Sequence, residues 1–165
     1  MMVEPVTANV EGLEPLLARM ENLSFDLRKK GGRFAMRKAA NLIRDKAREN
    51  AANVNDPATP EEIAANIVVR FSPKDFKRNG DLVFRVGVLG GARGYAAASG
   101  EVAGQGANNP GGDTFYWRFL EFGTINAPAQ PFARRALSEN IQAATNEFIN
   151  QYNKALDRAI KRGQR

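Results

Sequence analysis

Residues 115–140 read FYWRFLEFGTINAPAQPFARRALSEN, and this stretch decides how the chain is organised. It opens with five of the protein's fourteen aromatic residues: Phe115, Tyr116, Trp117, Phe119 and Phe122. Their spacing predicts about two turns of helix rather than a half-buried strand. Gly123 then follows in the position of a helix C-terminal cap, where a positive φ brings no Cβ clash.

Residues 124–130 are predicted to be an extended connector, since Pro128 and the following Pro131 push the residues before them out of the helical region. Pro131 also suits the first turn of a new helix, because it has no N–H to leave unpaired. The apolar residues that follow recur every three or four positions: Leu137, Ile141, Ala144, Phe148, Tyr152, Ala155 and Ala159. This stripe predicts a long helix over residues 132–160.

The string LEFGT, a short spacer and then APAQPFARRAL resembles the signature of the tail-completion or neck proteins of long-tailed bacteriophages, the lambda-like minor tail protein Z group. The matching residues are Tyr116, Glu121, Phe122, Gly123, Thr124, Ala129, Gln130, Pro131, Phe132, Arg134 and Ala136. A weaker similarity is the VEGL at residues 10–13. Where the family pattern has proline, this chain has Arg135.

The resemblance implies a structural virion protein of the neck, which joins the tail tube to the head-closure, or connector, complex. It implies a ring of identical subunits, with six copies to match the tail. The neighbours would be head-closure (stopper), tail-terminator or tail-tube proteins, and assembly would take place in the host cytoplasm. The alternative in the same class is a tail-terminator ring that caps the tail tube.

We expect the motif to shape a rigid corner between two helices and to lie at the subunit interface. The residues expected there are Tyr116, Glu121, Phe122, Gly123, Thr124, Pro128, Gln130, Pro131, Phe132, Arg134 and Arg135. As the lone acid of the aromatic run, Glu121 is expected to pair with Arg134 or Arg135, or with an arginine of another subunit. The other interpretation is that the motif only completes the core of each monomer.

Two runs with a period of two, at residues 67–71 and 82–89, predict an antiparallel hairpin that needs helices on its apolar face. We therefore predict an α+β fold, in which an antiparallel sheet carries N-terminal helices and a long C-terminal helix. Residues 1–165 are expected to form a single domain, with 1–9 as a flexible arm and 90–114 as a Gly-rich mobile loop. One core is predicted to contain Phe84, Val86, Phe119, Leu137, Ile141 and Phe148.

The remaining strong signal is charge. The net charge is +6, and nine Lys and Arg residues fall between residues 28 and 48 against one acid, Asp45. They lie on a predicted helix over residues 25–52, which Gly31 and Gly32 weaken by roughly 1 kcal/mol each relative to Ala. A basic nucleic-acid-binding protein is thus the alternative of another class, and transient contact with packaged DNA stays open. Only one aromatic residue, Phe34, is interleaved for base stacking, which favours an acidic protein surface.

The chain contains no His and no Cys. This composition removes the commonest general base near neutral pH, disulfides and the usual transition-metal ligands. No EF-hand, Walker or dinucleotide-binding spacing is present, and no signal peptide or long apolar run is found. We therefore expect no catalytic residue, cofactor, metal site or membrane partner.

Overall fold

The computed structural model describes residues 12–15, 25–54, 62–89, 109–112 and 114–163. The elements in order are α1 (Phe25–Ala52), α2 (Ile63–Asn66), β1 (Ile67–Phe71), α3 (Pro73–Asn79), β2 (Phe84–Val88), α4 (Trp117–Phe122) and α5 (Ala133–Gly163). The predicted arm at 1–9 and most of the predicted loop at 90–114 lie outside the described residues. None of the helices described is long and apolar enough to cross a membrane.

Strands β1 and β2 form a two-stranded antiparallel sheet, so the α+β prediction is confirmed. The Ser72 N–H donates to the Val83 carbonyl at one end, and the Leu89 N–H donates to the Asn66 carbonyl at the other, both at 2.9 Å. The first strand has its predicted bounds, whereas the second is shorter than residues 82–89.

The chain forms two compact units, and the helices α1 and α5 and both strands contribute residues to each. The first unit comprises Met1–Leu42, Arg70–Arg85 and Ser138–Arg165, and the second comprises Ile43–Val69 and Val86–Leu137. The single predicted core is therefore wrong. Three of its six residues belong to each unit, and two of them, Phe119 and Leu137, are exposed.

In the first unit, the core forms around Tyr152, which is fully buried with Ala35 and Leu156. Its ring stacks on Phe148 with centroids 5.6 Å apart. A Cβ added to Gly31 or Gly32 would lie 3.2 or 3.4 Å from this ring. The two glycines therefore let the tyrosine approach the backbone of α1, which continues through them without a break because this packing offsets their low helix propensity.

An aromatic cluster of Phe71, Phe76 and Phe84 lies in the same unit, with the Phe71 ring 5.8 Å from Phe76 and 5.3 Å from Phe84. Helix α1 places a cation over each ring. Lys29 lies over Phe76 at 4.7 Å, Arg33 over Phe71 at 4.1 Å, and Arg37 over Phe84 at 5.9 Å. Because these cations are four residues apart, one side of the helix supplies all three.

Helix α3 follows Ser72 and ends at Gly80, whose φ is +79°. Its Asp75 carboxylate accepts hydrogen bonds from Arg78 at 3.3 Å and from Arg85 at 2.9 Å. A hydrogen bond from Ser72, together with the nearby positive charges, holds the pKa of Asp75 below its ordinary value.

We expect Asp75 to add to the acid sensitivity of the fold. Because its pKa is lower in the folded than in the unfolded chain, its stabilisation is present above the unfolded pKa and is lost as the pH falls through the folded pKa. Urea midpoints of the Asp75→Asn variant should therefore fall less between neutral and acid pH than those of the wild type. In the wild type, the carboxyl carbon shift of Asp75 should titrate below its ordinary range, and Ser72→Ala should move that titration upward. Parallel urea curves for the variant and the wild type would contradict this role.

In the second unit, a buried apolar cluster combines Ala47, Ala51, Ile63, Ile67, Val88, Phe132 and Ala136. Beside it, the fully buried Asn66 side chain accepts from the Gly111 N–H at 2.8 Å and donates to the Gly112 carbonyl at 3.0 Å and the Thr114 hydroxyl at 2.8 Å. A Cβ on Gly111 would lie only 1.9 Å from the Glu62 carbonyl oxygen. The hydrogen bonds of Asn66 thus hold Gly111, Gly112 and Thr114 in place, immediately before the aromatic stretch that leads into α4.

Candidate functional site

The candidate site is the corner between α4 and α5, within residues 115–137 of the second unit. Helix α4 ends at Gly123, whose N–H donates to the Phe119 carbonyl at 2.9 Å. Gly123 has φ +75° and ψ 176°, a backbone region that is essentially restricted to glycine. The glycine stop predicted from the sequence is confirmed, although the helix begins at Trp117 rather than Phe115.

The prolines had led us to predict an extended connector. In the structure, the connector is not fully extended. Thr124 closes a turn: its N–H donates to the Ala127 carbonyl at 2.9 Å, and its hydroxyl accepts from the N–H of Asn126 and of Ala127 at 3.3 and 3.1 Å. A threonine hydroxyl that captures nearby backbone N–H groups favours a turn over an extended chain. The Gln130 N–H then donates to the Leu120 carbonyl at 2.7 Å and ties the connector back to α4.

Glu121 joins the two helices. Its carboxylate is only 2% exposed and accepts the backbone N–H groups of Phe132, Ala133 and Arg134 at 2.8, 2.9 and 2.9 Å. These donors lie at the start of α5, where the first N–H groups of a helix have no partner within it and favour negative charge. One side chain of α4 therefore caps the helix that follows it.

The Arg134 side chain completes this clamp. Its Nε donates to the Glu121 carboxylate at 3.1 Å, and its terminal nitrogen donates to the Glu121 carbonyl. The guanidinium also lies 4.9 Å from the centre of the Phe122 ring. Of the partners predicted for Glu121, the structure selects Arg134, whereas Arg135 is exposed on α5. The capping was missed, although one signal for it exists: PFARR offers no Ser, Thr, Asp or Asn at position 132 to cap α5.

The other predicted site residues lie partly inside and partly outside this corner. Phe132 is buried in the core of the second unit, and its carbonyl accepts from the Asn50 side chain at 3.2 Å. Tyr116 packs against that core, and Pro131 is half-buried. The remaining positions face outward: Thr124, Pro128 and Gln130.

Five large apolar side chains of the corner are exposed: Phe115 by 38%, Phe119 by 37%, Phe122 by 41%, Ile125 by 103% and Leu137 by 40%. Two of them had been assigned to the core. On α4 the inward positions are instead those of Trp117 and Leu120, and on α5 Ala136 turns inward and leaves Leu137 outside. The corner thus has a packed inner face and an apolar outer face.

The basic residues of α1 are mostly engaged within their own units. Lys29, Arg33 and Arg37 cover the aromatic cluster described above. Arg44 pairs with Asp45 at 2.7 Å, and Lys46 pairs with Glu49 at 2.8 Å. Arg48 donates two hydrogen bonds to the Ile67 carbonyl, at 2.7 and 3.0 Å. The sequence pattern missed these aromatic partners because they come from the hairpin region and not from α1.

Acidic side chains are not gathered into a metal site anywhere in the part of the chain that the structure describes. Comparison with known proteins gives one informative result. A family model described as "Bacteriophage HK97-gp10, putative tail-component" matches residues 14–123, which are 110 of the 165 residues. This range includes the aromatic run and Glu121-Phe122-Gly123, and it ends before the connector. No curated protein and no solved structure matches the chain. The chain belongs to the HK97-gp10-like family of bacteriophage tail components.

Proposed function

We propose that the protein is a ring-forming tail-completion protein of the phage neck, similar to the lambda-like minor tail protein Z group, and that it joins the tail tube to the head-closure complex. Membership of a tail-component family supports a structural role in the phage tail. The observation that carries the finer proposal is that a corner held by hydrogen bonds has exposed apolar side chains on its outer face.

Rigidity of the corner matters because a ring closes only when the same rotation repeats between all neighbours. The Glu121 clamp and the turn at residues 124–127 both restrict the angle between α4 and α5. Small variations in that angle would accumulate around the assembly and turn a closed ring into an open helix. A clamped corner is therefore suited to a subunit contact.

The apolar outer face supports a contact between copies of this chain. Single exposed apolar residues are normal on a protein surface, whereas large apolar patches mark interaction sites. Phe115, Phe119 and Phe122 follow one another at intervals of four and three, which places them on one side of the α4 region. In the proposed ring, the neighbouring subunit covers this face and also Leu137, which is exposed near the start of α5.

The proposed ring contains six copies and contacts head-closure (stopper), tail-terminator or tail-tube proteins. It resides in the neck of the virion after assembly in the host cytoplasm. This role is structural and involves no catalysis and no cofactor. A tail-terminator ring is the alternative, and the position of the labelled protein in images of whole particles distinguishes the two, since a terminator caps the tail tube directly.

Leu137→Glu should break the ring without unfolding the protomer. Leu137 is 40% exposed, so the substitution removes little buried surface, whereas it places a charge in the proposed interface. Ile160→Glu is a matched control because Ile160 is 44% exposed on the same helix. Light scattering and negative-stain images should show protomers for Leu137→Glu and rings for Ile160→Glu, with similar circular dichroism. Rings that survive Leu137→Glu, or that are lost in both variants, would contradict the assignment of the interface to the corner.

A further inference from the structure

A groove between α1 and α5 in the first unit has an apolar floor. Gly31 of α1 and Ala155 and Ala159 of α5 form the floor, and the exposed ring of Phe34 forms a wall. The cavity has a volume of about 270 Å³. It continues past Phe34 into a second, more open hollow of about 490 Å³.

Positive charges line the groove. Lys30, Arg158 and Arg162 line its first part, and Lys38 and Lys154 line the second with Arg158. Asp157 is the one acidic residue among the lining side chains. Lys38 and Arg158 both lie over the Phe34 ring, at 5.8 and 6.0 Å from its centre. Five cations and one carboxylate therefore surround an apolar strip.

These cations differ from the other basic residues of α1 because the ring that two of them cover, Phe34, is itself exposed. Lys29, Arg33 and Arg37 cover aromatic rings of their own unit, and Arg44 and Lys46 pair with carboxylates close by in the sequence. Lys30 and Lys38 instead join cations of α5 along the groove. The net positive charge of the groove is thus available to a partner.

We propose that this groove binds an acidic amphipathic helix of a partner protein. The apolar cavity offers room for the apolar side chains of such a helix, in the manner of helix-in-groove recognition, while its Asp and Glu side chains meet the cations on either side. A nucleic acid would satisfy the cations but would leave the floor of Gly31, Ala155 and Ala159 without an apolar partner. Apolar and charged features together therefore favour the helix.

The proposal does not depend on ring formation, because binding to the purified protein can be measured in any oligomeric state. The probe is a fluorescent peptide of about 18 residues, or five turns, with Leu on one face and Glu on the other. A peptide of the same composition in scrambled order has equal charge but no apolar face. A short DNA duplex provides the third probe.

Fluorescence anisotropy should show binding of the amphipathic peptide that weakens with added salt and exceeds that of the scrambled peptide by about tenfold or more. Lys30→Glu/Arg162→Glu should weaken the binding by a similar factor. The matched control Arg70→Glu/Lys77→Glu makes the same change in net charge away from the groove and should leave the affinity within about twofold. In the wild type, the peptide should shift the amide signals of Gly31 and Ala155.

Equal affinity for the scrambled peptide would overturn the proposal, as would equal losses in the two double variants. Tighter binding of the DNA duplex that the groove variant alone abolishes would also overturn it, and would assign the groove to nucleic acid. If the groove variant did not fold, the wild-type amide shifts would decide, because shifts confined to residues outside the groove would contradict the proposed site.

Discussion

Glu121→Ala is expected to lower the free energy of unfolding by about 2–4 kcal/mol, because a buried backbone N–H group that loses its acceptor costs about 1–3 kcal/mol and Glu121 accepts from more than one. The carboxylate is 2% exposed, and its loss leaves three backbone N–H groups at the start of α5 and the Nε of Arg134 without their acceptor. Hydrogen bonds to charged groups contribute more than neutral ones, so this is a severe change for one residue. Chemical denaturation of the purified protein measures it.

Two variants separate the clamp from mere loss of charge. Glu121→Gln keeps the shape of the side chain but turns one acceptor into a donor. Its free energy of unfolding should therefore lie between those of the wild type and Glu121→Ala. Glu49→Ala removes a carboxylate that contacts Lys46 at 2.8 Å but is 64% exposed, and it should hardly move the midpoint because solvent screens that pair. A Glu121→Ala protein as stable as the Glu49→Ala protein would show that the clamp contributes nothing.

Gly123→Ala is the second large effect that we expect. The backbone at φ +75° and ψ 176° is costly for any residue with a Cβ, by about 1–3 kcal/mol. The added Cβ would also lie 2.8 Å from the Ala129 nitrogen and 3.1 Å from the Ala127 carbonyl oxygen, which are backbone atoms that cannot rotate away. Strain and clash together should destabilise the protein by about 3 kcal/mol or more, or force the connector out of its turn.

Gly80→Ala is the control for this experiment. Gly80 also has a positive φ, +79°, but a Cβ there would meet no atom within 4 Å. We therefore expect only the cost of left-handed backbone, about 1–2 kcal/mol. Gly123→Ala protomers that remain folded but no longer form rings would support the proposed role of the corner in assembly. Equal effects of the two variants would mean that the close approach to the connector is unimportant.

Sequence patterns predicted the elements whose formation depends on residues near one another in the chain. The alternation at residues 67–71 defines β1 because a strand with one covered face must alternate. Gly123 was identified because a helix that ends in a sharp reversal needs a residue without a Cβ. The stripe from Leu137 onward predicted α5 to within three residues at its C-terminal end.

Long-range partners could not be predicted from these patterns. Aromatic residues occupy both sides of α4, so the periodicity did not decide between Phe119 and its neighbours Trp117 and Leu120 as the inward residues. Gly31 and Gly32 counted only as weak helix formers, because the Tyr152 ring that needs them lies far along the chain. Likewise, nothing near Arg33 in the sequence shows that Phe71 lies beneath it.

The hydrogen bond between Glu121 and the start of α5 also joins the two helices independently of the connector between them. Glu121 and Phe132 are eleven residues apart in the chain, yet a 2.8 Å hydrogen bond joins them directly. This hydrogen bond would hold the two helices together even if the conformation of the intervening loop changed. The loop tip at Ile125 is fully exposed. It is the place in the corner where a protease could cut, or where evolution could lengthen the chain, while the helices stayed joined.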